Sequence, residues 1–463
     1  MRGFSSMGSR HGFCLLVAMA MTPGYAATLR IPASDSRLLW EARTLGPDSG
    51  SRDVGWSASR VKLRFAGTGV RARIEPGRTW WNLTLDNRPP VALRPSRSDT
   101  LVLATGLTEG THELTLAKRT ELFVGSARVH EWIIEGANPR LLPPPSQPAL
   151  RIEFVGNSIT CGYGVHAPDP GEGFQDSTED AEATAYARAA RALGAEFRVA
   201  CYSGYGVFRD LRAEPNTLPG IYDLADPNQP GNWDHAKWHP HIVVANLGTN
   251  DYARGIPDSV AFSKAYADFL THLVQVHPGV SIALVHGPMM ADGFPPDSAG
   301  NPQPSATSLR NRITRLAQSM APKLGVTIDT ILLTPQTQQV GWGGDYHPNL
   351  EQSRINGLEM EAGLRRAFPK VIESAVSTTL RHLPTDHRWS WAGSGPWQLT
   401  ICDLRGRTIA RLSGNGIGSL QSIPIPAGVH FMHIDQDGRR QSFRFLSGGN
   451  QFLSPNGGTS DRL

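Results

Sequence analysis

Three residue types in separated stretches have the makings of acyl transfer. Ser158 lies in Gly156-Asn157-Ser158-Ile159-Thr160-Cys161-Gly162-Tyr163-Gly164, directly after the β-prone run Ile152-Glu153-Phe154-Val155. That places it where a buried strand ends and the chain turns, the position at which open α/β sheets carry their chemistry. A serine hydroxyl becomes a nucleophile only beside a base and near donors for the developing oxyanion. His347, in Asp345-Tyr346-His347-Pro348-Asn349, is the base candidate, and Asp345 could take the proton on its other ring nitrogen and hold the tautomer. Ser203-Gly204-Tyr205-Gly206 and Gly248-Thr249-Asn250-Asp251 complete the set. A glycine leaves its N–H unobstructed, and an asparagine amide donates without charge. Asp251 reads as a residue that holds its loop rather than as a catalyst.

In order and wording these four blocks resemble the SGNH (GDSL-like) hydrolases, and within them carbohydrate esterase family two, whose members read GDSIT or GNSIT followed by CGYG. Four separated motifs in order are specific in a way that one G-x-S is not. The resemblance spans roughly residues 30 to 366. It implies oxyanion donors at Ser158 N–H, Gly204 N–H and the Asn250 side chain, with Ser158 as nucleophile and His347 as base. The wider superfamily spaces its acid and base D-x-x-H. This chain has D-x-H, as many of this branch do, and some branch members orient the histidine by a backbone carbonyl instead of Asp345. Asn157 stands where the family more often has Asp. Trp342 and Tyr346 flank the site, where aromatics would stack on a sugar ring or pack the loop against the domain.

The elements that must position these residues follow from periodicity. From Arg151 onward, strands at 196–202, 242–247, 280–285 and 326–331 alternate with helices at 182–193, 309–324 and 351–368 and with a long helix carrying Phe262, Tyr266, Phe269, Leu270, Leu273 and Val274 on one face. Five strands joined by helices predict a parallel, three-layer α/β sheet over residues 150–369, which is the SGNH arrangement. Residues 28–142 look all-β. Alternating runs at Val61–Phe65, Val70–Ile74, Asn82–Leu85 and His112–Leu116 are separated by turn signals, so a β-sandwich is expected, and the resemblance implies a jelly roll. Trp56-Ser57, Phe65-Ala66-Gly67-Thr68 and Lys118-Arg119-Thr120-Glu121 look like its recurrent segments. Trp80 and Trp81 are read as core or interface residues rather than a sugar platform, since tryptophan is mostly buried. The proline-rich run 142–148 is a stiff spacer.

Residues 1–26 read as a secretory signal peptide: Arg2, Arg10 and His11, then an apolar stretch from Gly12 to Met21, then small residues at Gly24-Tyr25-Ala26. Residues 370–394 read as a connector, 395–447 as a small β module and 448–463 as a tail. The module, with Asp403-Leu404-Arg405-Gly406-Arg407 and Pro426-Ala427-Gly428, resembles the C-terminal sorting domains of type IX secretion, although His430 replaces the usual Tyr and the chain runs on past Leu446. That resemblance makes secretion machinery a partner; an accessory module is the alternative.

Composition excludes more than it assigns. The 463 residues carry a formal net charge of +4 with the charge scattered, and no basic run is interleaved with aromatics, so nucleic acid is not an expected partner. No stretch is apolar and long enough to span a bilayer. Of four cysteines, Cys14 would leave with the signal; an odd remainder argues against a disulfide framework, and Cys161 and Cys201 are read as buried free thiols, with pairing outside the cytoplasm as the alternative. His235, His239 and His241 crowd one stretch but straddle a loop and a strand start, so neither metal nor cofactor is expected. The absence of G-x-S-x-G argues against an α/β-hydrolase lipase. The expected activity is a secreted carbohydrate O-acetyl esterase acting on acetylated plant polysaccharide or oligosaccharide such as xylan or glucomannan. A lipid or thioester esterase, and a non-catalytic glycan-binding protein, are the alternatives.

Overall fold

The computed structural model describes residues 27–46, 50–96, 99–297 and 299–380, together with 389–391, 396–403, 406–415, 418–420, 428–436 and 439–447. The expected signal peptide, 1–26, and tail, 448–463, lie outside the described residues. Two antiparallel six-stranded sheets form the N-terminal part. One is built on Ala127–Gly136, paired with Gly69–Glu75, Arg52–Val54 and Ala27–Pro32; the other on Arg60–Gly67 and Gly110–Lys118. The alternation read at 61–65 and 70–74 has a direct outcome. Val61, Leu63 and Phe65 from one sheet meet Val70, Ala72, Ile74, Trp132 and Ile134 from the other in a single dry core.

The following half, from Arg151, is a parallel sheet in the spatial order Glu196–Cys201, Arg151–Gly156, Ile242–Asn246, Ser281–His286, Ile328–Leu332. Its strands are near-continuous apolar runs because both faces are covered. Helices Ala185–Ala192 and Leu350–Ala367 cover one face, and Ser259–Val276 and Ser305–Leu324 the other. The chain reverses its direction of winding at the Arg151–Gly156 strand, which lies between its two successors.

The expected connector at 370–394 needs correcting. Pro369–Leu380 is a helix, with proline at its first position and Ile372 and Ala375 buried against the same cluster as the preceding helix. The C-terminal module is an antiparallel sheet in the order Thr408–Asn415, Pro396–Asp403, Gly428–Gln436, Arg439–Ser447. The Asp403 carboxylate accepts from Arg407 N at 2.9 Å and Nε at 2.7 Å, closing the turn between the first two of its strands in sequence.

The sandwich and the sheet share a core rather than merely touching. Trp56 and Leu122 belong to the cluster that includes Val155, Ala200 and Tyr222. Arg43 of the sandwich forms a fully buried ion pair with Glu153 at 2.8 Å, and Tyr222 donates to the same carboxylate at 2.5 Å. Trp81 is buried in the sandwich core, and Trp80 lies at the interface, its indole N–H donating to Asp176 at 3.1 Å.

Candidate active site

Strand register assembles the site. Gly156 pairs with Cys201 on one side and with Asn246 on the other, so three neighbouring strands end at one level. Ser158 lies two residues beyond that level on its strand, Gly204 three beyond on the next, and Asn250 four beyond on the third. The turn after Gly156 is a short helix, Ser158–Cys161, capped by Asn157, whose side-chain oxygen accepts from Ile159 N at 3.1 Å. Ser158 is buried, and His347 Nε2 lies 2.8 Å from Ser158 Oγ, within hydrogen-bond reach of a general base.

His347 is held from behind by backbone. Its Nδ1 is 3.1 Å from both Gly344 O and Asp345 O, which fixes the proton on Nδ1 and leaves Nε2 as acceptor toward Ser158. Asp345 as the carboxylate behind the histidine is therefore corrected. Its carbonyl performs that task, and its carboxylate accepts instead from the Tyr163 hydroxyl. The cause is local geometry: Asp345 has φ 48° and Tyr346 φ 57°, so the left-handed backbone turns the carbonyl toward the ring and the side chain away. The Tyr163 ring also stacks on His347, centroids 4.3 Å apart at 27°. Burial and the Asp345 carboxylate push the Tyr163 phenol up, so it stays a donor. Burial lowers His347 from its ordinary value to about 4, so the imidazole is neutral at pH 7, as a base must be. The two loops meet backbone to backbone. Gly344 N donates to Gly164 O at 2.9 Å, and a Cβ on Gly164 would lie 2.7 Å from Gly344 N, which is why the second glycine of Cys-Gly-Tyr-Gly is needed.

The three expected oxyanion donors stand on the adjoining loops. Among the described residues neither Ser158 N–H nor Gly204 N–H meets an acceptor. Gly204 adopts φ +84°, which favours glycine. Asn250 Nδ2 donates one hydrogen to Tyr205 O at 2.9 Å and keeps a second. Asp251 is a loop-holding residue, as read. Its carboxylate accepts from Val207 N, Phe208 N and Arg209 N at 3.1, 2.7 and 3.1 Å, and burial pushes it up to about 6 against those three bonds.

Cys161 and Cys201 are corrected as well: they form a disulfide with Cα atoms 5.7 Å apart. Cys201 ends the strand paired with Gly156, and the helical turn after Gly156 folds Cys161 back over it. Of the flanking aromatics, Tyr346 is exposed and Trp342 half-buried, with ring centroids 5.4 Å apart. Of the crowded histidines, His235 bonds Asp223 at 2.9 Å, His241 Nδ1 accepts from Arg151 N at 3.1 Å, and the His235 and His239 rings both pack edge-on against His277. Tyr163 and Glu121 lie inside local motifs, but their partners Asp345 and Ser203 are remote in the chain, so no local pattern assigns either a role. An aromatic between two obligatory glycines was the available signal for Tyr163.

Comparison with known proteins finds likenesses along most of the described chain. A family model described as carbohydrate esterase 2 N-terminal matches residues 43–145, and the GDSL-like lipase/acylhydrolase family matches 154–355. The chain is 27% identical over 335 residues to cellulase/esterase CelE of Acetivibrio thermocellus, covering 71% of this chain and 39% of that protein. It is 27% identical over 272 residues to an acetylxylan esterase/glucomannan deacetylase of Cellvibrio japonicus, covering 57% of this chain and 75% of that one. A solved family two carbohydrate esterase from Clostridium thermocellum, in complex with cellohexaose, superposes with a TM-score of 0.65 at 26% identity, over 72% of this chain and 99% of that one. One domain type is matched ahead of the other, and the solved structures it resembles are built the same way, so the chain is similar along both of its larger domains to the family two carbohydrate esterases, with a GDSL-like lipase/acylhydrolase domain at 154–355.

Proposed function

We propose that this protein is a secreted carbohydrate O-acetyl esterase that removes acetyl groups from a polysaccharide such as xylan or glucomannan. The observation that carries the proposal is the 2.8 Å approach of His347 Nε2 to Ser158 Oγ beside two backbone N–H groups that meet no acceptor among the described residues. Ser158 Oγ attacks the acetyl carbonyl as His347 Nε2 takes its proton. The carbonyl oxygen, now an anion, receives Ser158 N–H, Gly204 N–H and the second hydrogen of Asn250 Nδ2. As the ester C–O bond breaks, His347 gives the proton to the departing sugar oxygen; the same base then takes a proton from water, which attacks the acetyl-enzyme, and returns it to Ser158 Oγ as acetate leaves. Asp345 orients His347 through its carbonyl. Tyr346 and Trp342 offer ring faces at the mouth of the site, suited to a sugar. The names of the relatives, an acetylxylan esterase/glucomannan deacetylase among them, support the substrate class. The Cys161–Cys201 bond suits an oxidising compartment, which supports secretion with the signal at 1–26; among the described residues no helix is long and apolar enough to cross a membrane.

The test is turnover of a short chromogenic acetate, a long-chain ester and acetylated xylan by the wild type and by Ser158→Ala. Acetate release from the first and third by the wild type alone is expected. Equal turnover by the variant ends the serine mechanism, and preference for the long chain ends the carbohydrate reading.

A further inference from the structure

The oxyanion loop is gripped at two ends by two buried carboxylates, one from each domain. Asp251 holds its far half, Val207 to Arg209. Its near end is held by Glu121, from the Lys118-Arg119-Thr120-Glu121 segment of the sandwich. Glu121 Oε2 accepts from Ser203 N at 2.7 Å, and Oε1 accepts from the Ser203 hydroxyl. Between the two anchors lie Gly204, Tyr205 and Gly206. The Gly204 N–H meets no acceptor among the described residues, so its direction is set by what holds its neighbours.

Glu121 is fully buried and packs beside a second fully buried acid, Glu179, whose Oε2 accepts from Glu121 N at 3.0 Å. A buried carboxylate is costly unless its hydrogen bonds are made and its charge is balanced. Burial pushes both carboxyls up, Glu179 well above the usual carboxylate range because the Glu121 carboxylate lies beside it. Lys118, also fully buried and lowered by burial to about 8, is the balancing cation, its ammonium donating to the carbonyls of Thr120 and Glu121. Arg119 extends the grip, donating to Glu179 O and Ser177 O at 3.2 Å each. Within this segment Arg119 and Glu121 thus reach two loops of the other domain, and Glu121 places both carboxylate oxygens on Ser203, next to Gly204.

We propose that Glu121 of the N-terminal sandwich is a positioning residue for the oxyanion site: by fixing Ser203 it aims the Gly204 N–H at the carbonyl oxygen, so that neither domain makes a complete active site alone. This rests on the esterase reading above. A donor displaced by about an ångström loses most of its worth in the transition state and little in substrate binding.

The experiment compares wild type with Glu121→Ala, Glu121→Gln and Glu121→Asp in the full chain, with kcat taken per titrated active site. The readouts are kcat and KM on a chromogenic acetate and affinity for an alkylboronic acid, which adds to a serine hydroxyl as a tetrahedral mimic. Glu121→Ala is expected to lower kcat about 30-fold with KM within about twofold, and to weaken boronate binding by a similar factor. Glu121→Gln can still accept from Ser203 N and donate to Ser203 Oγ, and should restore kcat to within about threefold of wild type. Glu121→Asp keeps the carboxyl group but withdraws it by one methylene; should the alanine variant not fold, it carries the same test with an expected loss of about tenfold. Wild-type kcat per site and wild-type boronate affinity in the alanine or aspartate variant overturn the proposal, as does a glutamine variant no better than alanine. If wild type turns over no acetate ester, the esterase reading fails; the ratio of boronate affinities still decides whether Glu121 aims the oxyanion site.

Discussion

The two halves of the proposed dyad are held by opposite means. Ser158 sits on a turn fixed from all sides: a central strand flanked at equal level by two others, an Asn157 cap, and a disulfide one helical turn away. His347 arrives on a loop beyond the edge strand Ile328–Leu332, preceded by two non-glycine residues with positive φ, one of them, Tyr346, 55% exposed. Each such residue costs about 1 kcal/mol or more, and the surroundings must overdetermine it. Here they are the Gly164 contact and the Tyr163 ring. The strained pair has a use, since it turns two carbonyls onto His347 Nδ1. The nucleophile is thus placed by burial and covalent linkage, and the base by backbone shape, with no carboxylate behind it.

The largest effects should fall on both halves equally. Ser158→Ala and His347→Ala should each lower kcat/KM on a soluble acetate by a factor on the order of 10⁴ or more, and the double variant should be no worse than either, since the two act as one unit. A much milder loss for His347→Ala would mean that another base serves Ser158. Next comes Asn250→Ala. It removes one oxyanion donor and also the tie to Tyr205 O, and a fall in kcat of about 10²- to 10³-fold with KM nearly constant is expected. The third is a pH profile. A base works only when neutral, so kcat/KM falls as pH drops through its pKa. With His347 lowered to about 4, activity should hold between pH 7 and 5, where an imidazole at its ordinary value would lose about 30-fold. An acid limb near pH 6.5 would show that the loop opens to water in solution, which would sharpen the contrast with the rigid serine turn.

How far these arrangements were legible in the chain depends on the distance over which each is specified. Ser158 and His347 were readable because each sits in a local pattern, and the parallel sheet because apolar runs such as Ile242–Leu247 alternate with helical faces. Asp345 was not. In D-x-H both the carboxylate and the carbonyl are within reach of the ring, and only torsions at Asp345 and Tyr346 decide between them. The Cys161–Cys201 bond was hidden by an odd count and appears once the register of Gly156 on Cys201 is known. Residues 370–380 read as connector because Val371, Ile372 and Ala375 make too short a face to stand out from the preceding helix. Glu121 touches Ser203 across 82 positions and two domains, a relation that no local pattern encodes.

The smallest effect is the sharpest test of the contrast itself. If the Asp345 carboxylate were the group behind His347, removing it would strand the tautomer and lower kcat by a factor on the order of 10⁴. In the geometry seen here it only anchors the Tyr163 hydroxyl, while the carbonyl that orients the ring survives any side-chain change. Asp345→Ala should therefore lower kcat by about three- to tenfold. Tyr163→Phe, which keeps the ring stacked on His347 and loses only the hydroxyl, should do the same. Because the two groups meet each other through that one hydrogen bond, the double variant should match the single ones rather than multiply them. Multiplied losses would show that the aspartate reaches the imidazole by a route of its own, and the two halves of the dyad would then be less unlike than their backbones suggest.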